Sequence, residues 1–303
     1  MFAEQEDLVV ERALPRVLYA LPLRLCKSLA GFTSRKPLGA AGLFIIVLMV
    51  LGAAAQPLIT FHDPLSWDIP NKTAGPSLSN WMGTDDKGRD LWTRLVLGAQ
   101  TSLFVGFGSV AFGSITGGLF GIVSAFYGGR VDAAIQRTMD ALMAIPSLIL
   151  ALAIMAAMGQ SLINVIIAVG VVQIPRANRV VRSQALSVNE SEYALAAQAI
   201  GAGDVRIMLL HILPQCVAPW LIIATAGLGN AIIAEASLSF LGLGVPPPQP
   251  SWGGMLSGTG RDYYAVAPWL AIWPGLAITL AVYAFNLFGD ALRDVLDPRL
   301  RGT

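Results

Sequence analysis

The sequence offers few side chains whose type and spacing could support bond-making chemistry. Its two histidines, His62 and His211, flank different predicted membrane spans on opposite sides, and no Gly-x-Ser-x-Gly segment accompanies them. None of the four lysines follows a glycine, so the nucleotide-binding pattern G-x-x-x-x-G-K-[ST] is absent. We therefore predict that this chain has no catalytic residue, is not an enzyme and does not cradle ATP phosphates by that route.

Acidic residues cluster in two places, around 83–90 and near the C-terminus. Clustered carboxylates attract hard cations, so a metal site is one interpretation. The other, which we favour, is a set of short exposed helices with paired charges, since basic residues alternate with the acids. The residues concerned at the C-terminal end are Asp290, Arg293, Asp294, Asp297 and Arg299.

Two polar side chains, Asn230 and Glu235, fall inside an otherwise apolar stretch. Polar groups at membrane depth usually face the interior of a helical bundle or a wet cavity. In one interpretation the pair lines a pathway or gate, where Glu235 meets an amine of a solute. In the other, which we favour, Glu235 is a structural acceptor for the loop at 240–256.

Composition places these residues in a membrane protein. Hydrophobic residues make up 55% of the 303 residues and charged residues only 13%, and mean hydropathy is +0.64. Soluble domains are about a quarter charged. Net charge is +1, without a basic block, so we expect lipid and not nucleic acid as the surroundings.

Six largely apolar stretches predict six membrane-spanning helices, with both termini on one side. About 20 apolar residues cross 30 Å of hydrocarbon at 1.5 Å per residue. We interpret the long stretch after Leu95 as one helix, because no Pro, Asn or Asp marks a reversal there. The predicted spans are residues 38–61, 95–128, 133–157, 162–184, 217–241 and 265–288.

The distribution of positive charge predicts the orientation. Under this span assignment 15 of the 20 Lys and Arg residues lie on the side of the termini and five on the other. Positively charged flanks are retained in the cytoplasm. Both termini are therefore predicted to be cytoplasmic.

The second predicted span carries Gly113, Gly117 and Gly121 at intervals of four residues. This spacing leaves a groove on one helix face, where another helix can approach closely. We predict a packing face, although glycine is also simply common in membrane helices.

A long cytoplasmic loop, residues 176–214, separates the fourth and fifth spans. Ser187 and Glu190 match a capping box and predict a helix start. Tyr193, Ala196, Ala197 and Ile200 then follow at helical spacing, before Gly201 and Gly203 end the helix. Such a face can seat in a groove of another protein or pack on its own bundle.

The segment LAAQAIGAGDVRIMLLHILP, residues 195–214, resembles the EAA loop of bacterial ATP-binding-cassette importer permeases. That pattern is Glu-Ala-Ala, three residues, Gly, nine residues and Ile-x-Leu-Pro. Leu195 replaces the glutamate and His211 stands at the isoleucine position. GTDDKGRDLWTRLVLGAQTSL (83–103), FLGLGVPPPQPSWGGML (240–256) and AFNLFGDALRDVLDPRLR (284–301) resemble the C-type permease of dipeptide and oligopeptide importers.

This resemblance implies the type I importer permease fold, an all-α membrane protein with six transmembrane helices and a cytoplasmic coupling helix. Residues 1–36 would form an interfacial cytoplasmic segment, residues 37–303 the permease domain in a bacterial inner membrane, and residues 185–214 the coupling loop. The implied ATPase-contacting residues are Tyr193, Leu195, Ala196, Ala197, Ile200 and Gly201.

The resemblance also implies the partners. They are a second permease, for which we favour a different chain over an identical one, two ATP-binding subunits that bind ATP and Mg²⁺, and an extracytoplasmic solute-binding protein. This chain itself would hold no cofactor. ATP binding would close the pair of partner ATPases, and this closure would move the coupling helix and tilt the bundle.

The solute stays open at this point. Relatives of this architecture carry peptides, glutathione-like compounds or nickel complexes. A secondary transporter is the alternative from another class, but ionisable relays at mid-membrane, which proton-coupled carriers usually need, are scarce here.

Overall fold

The structure, a computed structural model, describes residues 33–34 and 36–296, and within them the chain is helical, with no named strand. One isolated antiparallel bridge joins Thr84 and Asp90. The predicted N-terminal segment 1–36 lies outside the described residues except for 33, 34 and 36. The C-terminal residues Asp297 and Arg299 also lie outside them.

Eight helices organise the described chain, joined by short helical turns. The fifth continues well beyond the predicted span, and the seventh contains one widened turn at Met208–Ile212. They are α1 (Pro37–Ala54), α2 (Leu91–Tyr127), α3 (Gly129–Ala144), α4 (Ser147–Met158), α5 (Leu162–Asn189), α6 (Glu192–Ala199), α7 (Asp204–Phe240) and α8 (Trp269–Leu296). The short turns are Gln56–Ile59, Ile69–Asn71, Trp252–Met255 and Leu256–Gly260.

Four of these helices, α1, α2, α7 and α8, are long and apolar enough to cross a membrane. The consecutive pair α3 and α4 passes the same test only if the two are taken together, which brings the number of candidate spans in the described chain to five. Helix α5 is not among them, and its second half carries Arg176, Arg179 and Arg182. The sequence predicts six spans, so the structure gives a coarser result of four to five.

The third predicted span, 133–157, is not one straight helix. Helices α3 and α4 meet at 95°, and Ile145 between them has extended backbone angles, φ −93° and ψ 130°. Pro146 follows directly, and the ring of a proline disfavours helical angles in the preceding residue. The prediction of a single helix was wrong here, because Ile145 before Pro146 is extended and interrupts the helix.

Helix α2 spans 37 residues, which is about 55 Å at 1.5 Å per residue. It begins four residues before the prediction, because Asp90 caps it: the Asp90 carboxylate accepts from Thr93 N at 2.8 Å. Ile122 and Ala125, near its other end, share a buried cluster with Ala197 of α6.

The glycine stripe of α2 faces α5. A Cβ added at Gly113 would collide with the Gly170 carbonyl oxygen, and one at Gly117 with the Ile174 carbonyl oxygen. At Gly121 the added atom would lie 2.8 Å from the Asn178 oxygen. Two backbones can approach this closely only where a side chain is missing.

Helix α8 packs against α1 and α7 and closes the other side of the bundle. A Cβ at Gly42 of α1 would lie 2.6 Å from the Ala284 oxygen of α8. Lys36 Nζ, just before α1, pairs with Asp294 Oδ2 near the end of α8 at 2.5 Å. The first and last described helices are therefore held together at the end of the bundle where the described chain starts and stops.

Candidate functional sites

The segment predicted to couple this chain to another protein contains a short helix, α6, but the helix starts later than predicted. The capping box at Ser187 and Glu190 is wrong, since α5 continues to Asn189 through both Ala185 and Val188, which are buried. Ser191 takes the N-cap position of α6 instead. Burial along α5 outweighs the local capping pattern.

Helix α6 divides its residues between the chain's own core and the surface. Ala194 and Ala197 are buried, and Ala197 joins the cluster that contains Ile122 and Cys216. Ala197 therefore packs in the core of this chain, whereas the spacing had placed it on the face predicted to contact a partner. Its small size lets α6 lie close against the bundle.

The other predicted contact residues of α6 face outward. Tyr193 is 46% exposed, Leu195 51% and Ile200 86%, and Ala196 is also exposed. Gly201 has φ +80°, in the left-handed region that favours glycine, and ends the helix. We call Tyr193, Leu195, Ala196 and Ile200 the α6 surface.

Glu235 lies fully buried in α7. Ser102 Oγ of α2 donates to its Oε2 at 3.1 Å, and Ser239 Oγ donates to its Oε1 at 2.8 Å. Ser251 Oγ donates to Ser239 Oγ at 3.3 Å, and Trp252 N donates to Ser102 Oγ at 3.2 Å. These contacts favour the structural interpretation, in which Glu235 anchors the loop that follows α7.

Asn230 takes a different position and lines a cavity of about 320 Å³ between α4, α5 and α7. Its Nδ2 makes only a 3.4 Å contact with the Ala226 oxygen of its own helix. A second cavity, of about 60 Å³, shares Gln173, Arg176 and Asn230 with the first. The structure thus separates Asn230 from Glu235, which the sequence had grouped together.

Arg176 lines the same cavity and is among the 15 basic residues that the charge distribution assigned to the side of the termini. It stands three residues after Gln173, so both fall on the same helix face. Ser147 at the start of α4 and Ser237 of α7 add two hydroxyls to the same wall. The spacing of Gln173 and Arg176 was visible in the sequence.

The acidic cluster before α2 is held by internal contacts. Asp85 Oδ2 lies 2.6 Å from Arg89 Nε and 3.4 Å from Arg94 Nε, and all three side chains are largely buried. Asp90 caps α2. Within residues 33–34 and 36–296, no group of three or more His, Cys, Asp or Glu is placed to hold a metal. The charges are paired as predicted, but residues 83–90 form a largely buried loop and not the short exposed helix that was expected.

Comparison with known proteins gives consistent matches over most of the chain. A putative peptide transport system permease of Brucella suis biovar 1 is 47% identical over 260 residues, 86% of this chain and 87% of the relative. The dipeptide transport system permease DppC of Alkalihalophilus pseudofirmus is 43% identical over 267 residues, 88% of each chain. The glutathione transport system permease GsiD of Escherichia coli O6:K15:H31 is 43% identical over 262 residues, 86% of each chain.

Residues 117–302 match the family described as the binding-protein-dependent transport system inner membrane component. This match contains the glycine stripe from Gly117 onward, the cavity, α6 and Glu235. The family match, and the relatives that align over most of the chain, agree with the resemblance of residues 195–214 to the EAA loop. The chain belongs to the family of inner membrane components of binding-protein-dependent transport systems.

Proposed function

We propose that this chain is the transmembrane permease subunit of an ATP-binding-cassette importer that moves peptides of the dipeptide or oligopeptide type. The observation that carries the proposal is the α6 surface. Three apolar side chains, Tyr193, Leu195 and Ile200, face away from the bundle on a helix whose other side is fixed by buried Ala194 and Ala197. A partner that binds the α6 surface can transmit its own movement to the helical bundle.

A six-span arrangement fits the described helices. Helices α1, α2, α7 and α8 would each cross once, the bent pair α3 and α4 would form one broken span, and α5 would be the sixth. Two of the three arginines of α5 are compatible with this, because Arg179 pairs with Asp140 and Arg182 with Asp132, so the charges of these two are compensated. Both termini would then be cytoplasmic in a bacterial inner membrane.

The energy source would be another chain. Without a nucleotide-binding loop of its own, this subunit depends on two ATP-binding subunits, which hold ATP and Mg²⁺. A second permease subunit, which we propose is a different chain, would complete the pathway, and an extracytoplasmic binding protein would deliver the solute. The chain itself would hold no cofactor and catalyse no reaction.

Burial of the α6 surface against a partner would supply free energy on the scale that a conformational change requires. Changing a conformational preference from 99:1 to 1:99 takes about 5.5 kcal/mol of differential binding. Burying one fully exposed large apolar side chain contributes about 1.5 to 3 kcal/mol, and the three on the α6 surface are 46%, 51% and 86% exposed, so together they supply about 3 to 5 kcal/mol. An exposed salt bridge, at about 0 to 1 kcal/mol, would not.

The peptide assignment follows the relatives. Those at 47% and 43% identity are named for peptide and dipeptide transport, and a glutathione permease is also 43% identical. Glutathione is itself a modified tripeptide with free carboxylates, so the shared chemistry is a small peptide. Nickel complexes have less support from these relatives.

Introducing a charge on the α6 surface tests the proposal. We expect Ile200→Asp to abolish copurification with the ATPase subunits in mild detergent and to abolish ATP-dependent dipeptide uptake by the reconstituted complex. An aspartate buried in an apolar groove has no partner there. The matched control is Leu78→Asp, which changes an exposed leucine on the segment before α2.

The control variant should retain both the ATPase subunits and uptake. If Ile200→Asp kept a full complement of ATPase and normal uptake, the α6 surface would not be the coupling contact. If the unmodified complex took up no dipeptide with its cognate binding protein, the peptide assignment itself would be wrong.

A further inference from the structure

The three arginines of α5 differ in how their charge is compensated. Arg182 makes two bonds to Asp132, at 2.7 and 2.6 Å, and Arg179 Nη2 lies 2.7 Å from Asp140 Oδ1. In the described part of the chain, Arg176 has neither an ion-pair partner nor a hydrogen-bond partner. It is the one of the three that lines both cavities.

A second donor in the same wall also lacks an acceptor. Gln173 Nε2 is buried and makes no hydrogen bond within residues 33–34 and 36–296. Leaving a buried donor unpaired costs about 1 to 3 kcal/mol. Asn230 Nδ2, on the facing helix α7, makes only the long contact to Ala226. Arg176 and Asn230 are exposed, so three donor groups from two helices line one cavity and two of them are accessible from outside the chain.

The position of Arg176 along α5 determines how deep its charge would lie in a membrane. Arg176 is 14 residues beyond the first residue of α5, which is about 21 Å along the helix axis. If α5 spans the membrane, the guanidinium lies well inside it, where an uncompensated charge is costly. Apolar residues from α4 and α7 form much of the surrounding wall.

We propose that Arg176, with Gln173 and Asn230, forms a recognition site for a carboxylate of the transported peptide. A guanidinium matches a carboxylate in a bidentate arrangement, and carboxamide N–H groups can donate to the same oxygens. The free C-terminal carboxylate is common to dipeptides, oligopeptides and glutathione. This site rests on the proposed function, and it makes Arg176 a specificity-determining residue of the pathway.

Uptake by the full reconstituted complex tests the site, using a dipeptide and its C-terminal amide as the two probes. The same binding protein delivers both compounds to every variant, so a changed ratio of the two rates reports the permease alone. We expect Arg176→Gln to lower dipeptide uptake about tenfold, the value for one charge-assisted hydrogen bond, and to leave amide uptake nearly unchanged. Arg176→Lys should restore part of the preference.

Arg179→Gln is the matched control, because it removes the same charge one helical turn away. Its partner Asp140 lies outside the cavity, so the ratio of carboxylate to amide uptake should stay that of the unmodified complex. Gln173→Met is a second test that leaves the arginine in place. It should shift the ratio in the same direction as Arg176→Gln, by a smaller factor.

Three results would overturn the site. Equal losses for both compounds in Arg176→Gln would show that Arg176 serves assembly, for instance by pairing with an acidic residue of the second permease or with a lipid phosphate. Unchanged uptake of both would show that the pathway avoids this cavity. If Arg176→Gln fails to assemble, an unchanged ratio in both Arg176→Lys and Gln173→Met would overturn the site equally. In all these cases ATP-dependent uptake by the unmodified complex would persist, so the proposed function would stand.

Discussion

The contact between α2 and α5 gives a quantitative prediction for the variant Gly117→Ala. The added Cβ would lie 2.9 Å from Ala177 Cβ and 3.0 Å from Asn178 N, and closer still to the Ile174 carbonyl oxygen. None of these atoms is the end of a flexible side chain. Helix α5 must therefore move as a whole to make room.

The expected loss of stability follows from two opposing effects. Overpacking an interior costs about 1 to 3 kcal/mol, and contact with backbone atoms places Gly117 at the upper end. Alanine in place of glycine recovers about 1 kcal/mol through helix propensity. The net loss is about 2 kcal/mol, which for a chain of 303 residues corresponds to a melting temperature lower by about 3 °C.

The measurement is thermal unfolding of the purified protein in mild detergent, with Gly52→Ala as the matched control. Gly52 is a helical glycine of α1 where an added Cβ meets nothing within 4 Å, so only the propensity gain remains. The control should melt at or slightly above the unmodified protein. A melting temperature of Gly117→Ala equal to that of the control would refute the close approach of α2 and α5.

Two further predictions concern polar contacts. For Glu235, we expect Glu235→Gln to keep uptake of an amine-bearing peptide within about twofold, since the carboxamide oxygen can still accept from one of the two serine hydroxyls and the other hydroxyl can rotate to accept from the new NH2 group; a loss selective for amine-bearing peptides would instead make Glu235 a pathway residue. For the pair of Arg182 and Asp132, which is bidentate and about one quarter exposed, a double-mutant cycle of Arg182→Gln and Asp132→Asn should give a coupling free energy of about 1 kcal/mol in unfolding measurements. A coupling near zero would show that the pair adds nothing to stability.

Apolar length alone predicted the positions of most long helices. The helices α2, α7 and α8 lie where the hydropathy of the sequence placed spans, because long uninterrupted helices are the favoured way to satisfy backbone groups in lipid. The bend between α3 and α4 was also predictable from the sequence, because Pro146 disfavours helical backbone angles at Ile145. Apolar length does not reveal this bend, since two short helices and one long helix can have the same composition.

The contacts between helices were less predictable than the helices themselves. The Ser187 and Glu190 pattern was chemically sound, but α5 continues past it because Ala185 and Val188 are buried. Which side of α6 faces the bundle could not be deduced either, since Ala196 and Ala197 have the same side chain. Only the packing of α6 on the cluster around Ile122 distinguishes them.

The length of α2 has a mechanical consequence. A stiff rod of 37 residues converts a tilt of about 10° into a displacement of about 10 Å at its far end. One end of this rod carries the Asp85 and Arg94 contacts, and the other touches the cluster that holds α6 in place. If α2 tilts as a rigid rod, a displacement at one of these ends is accompanied by a displacement at the other.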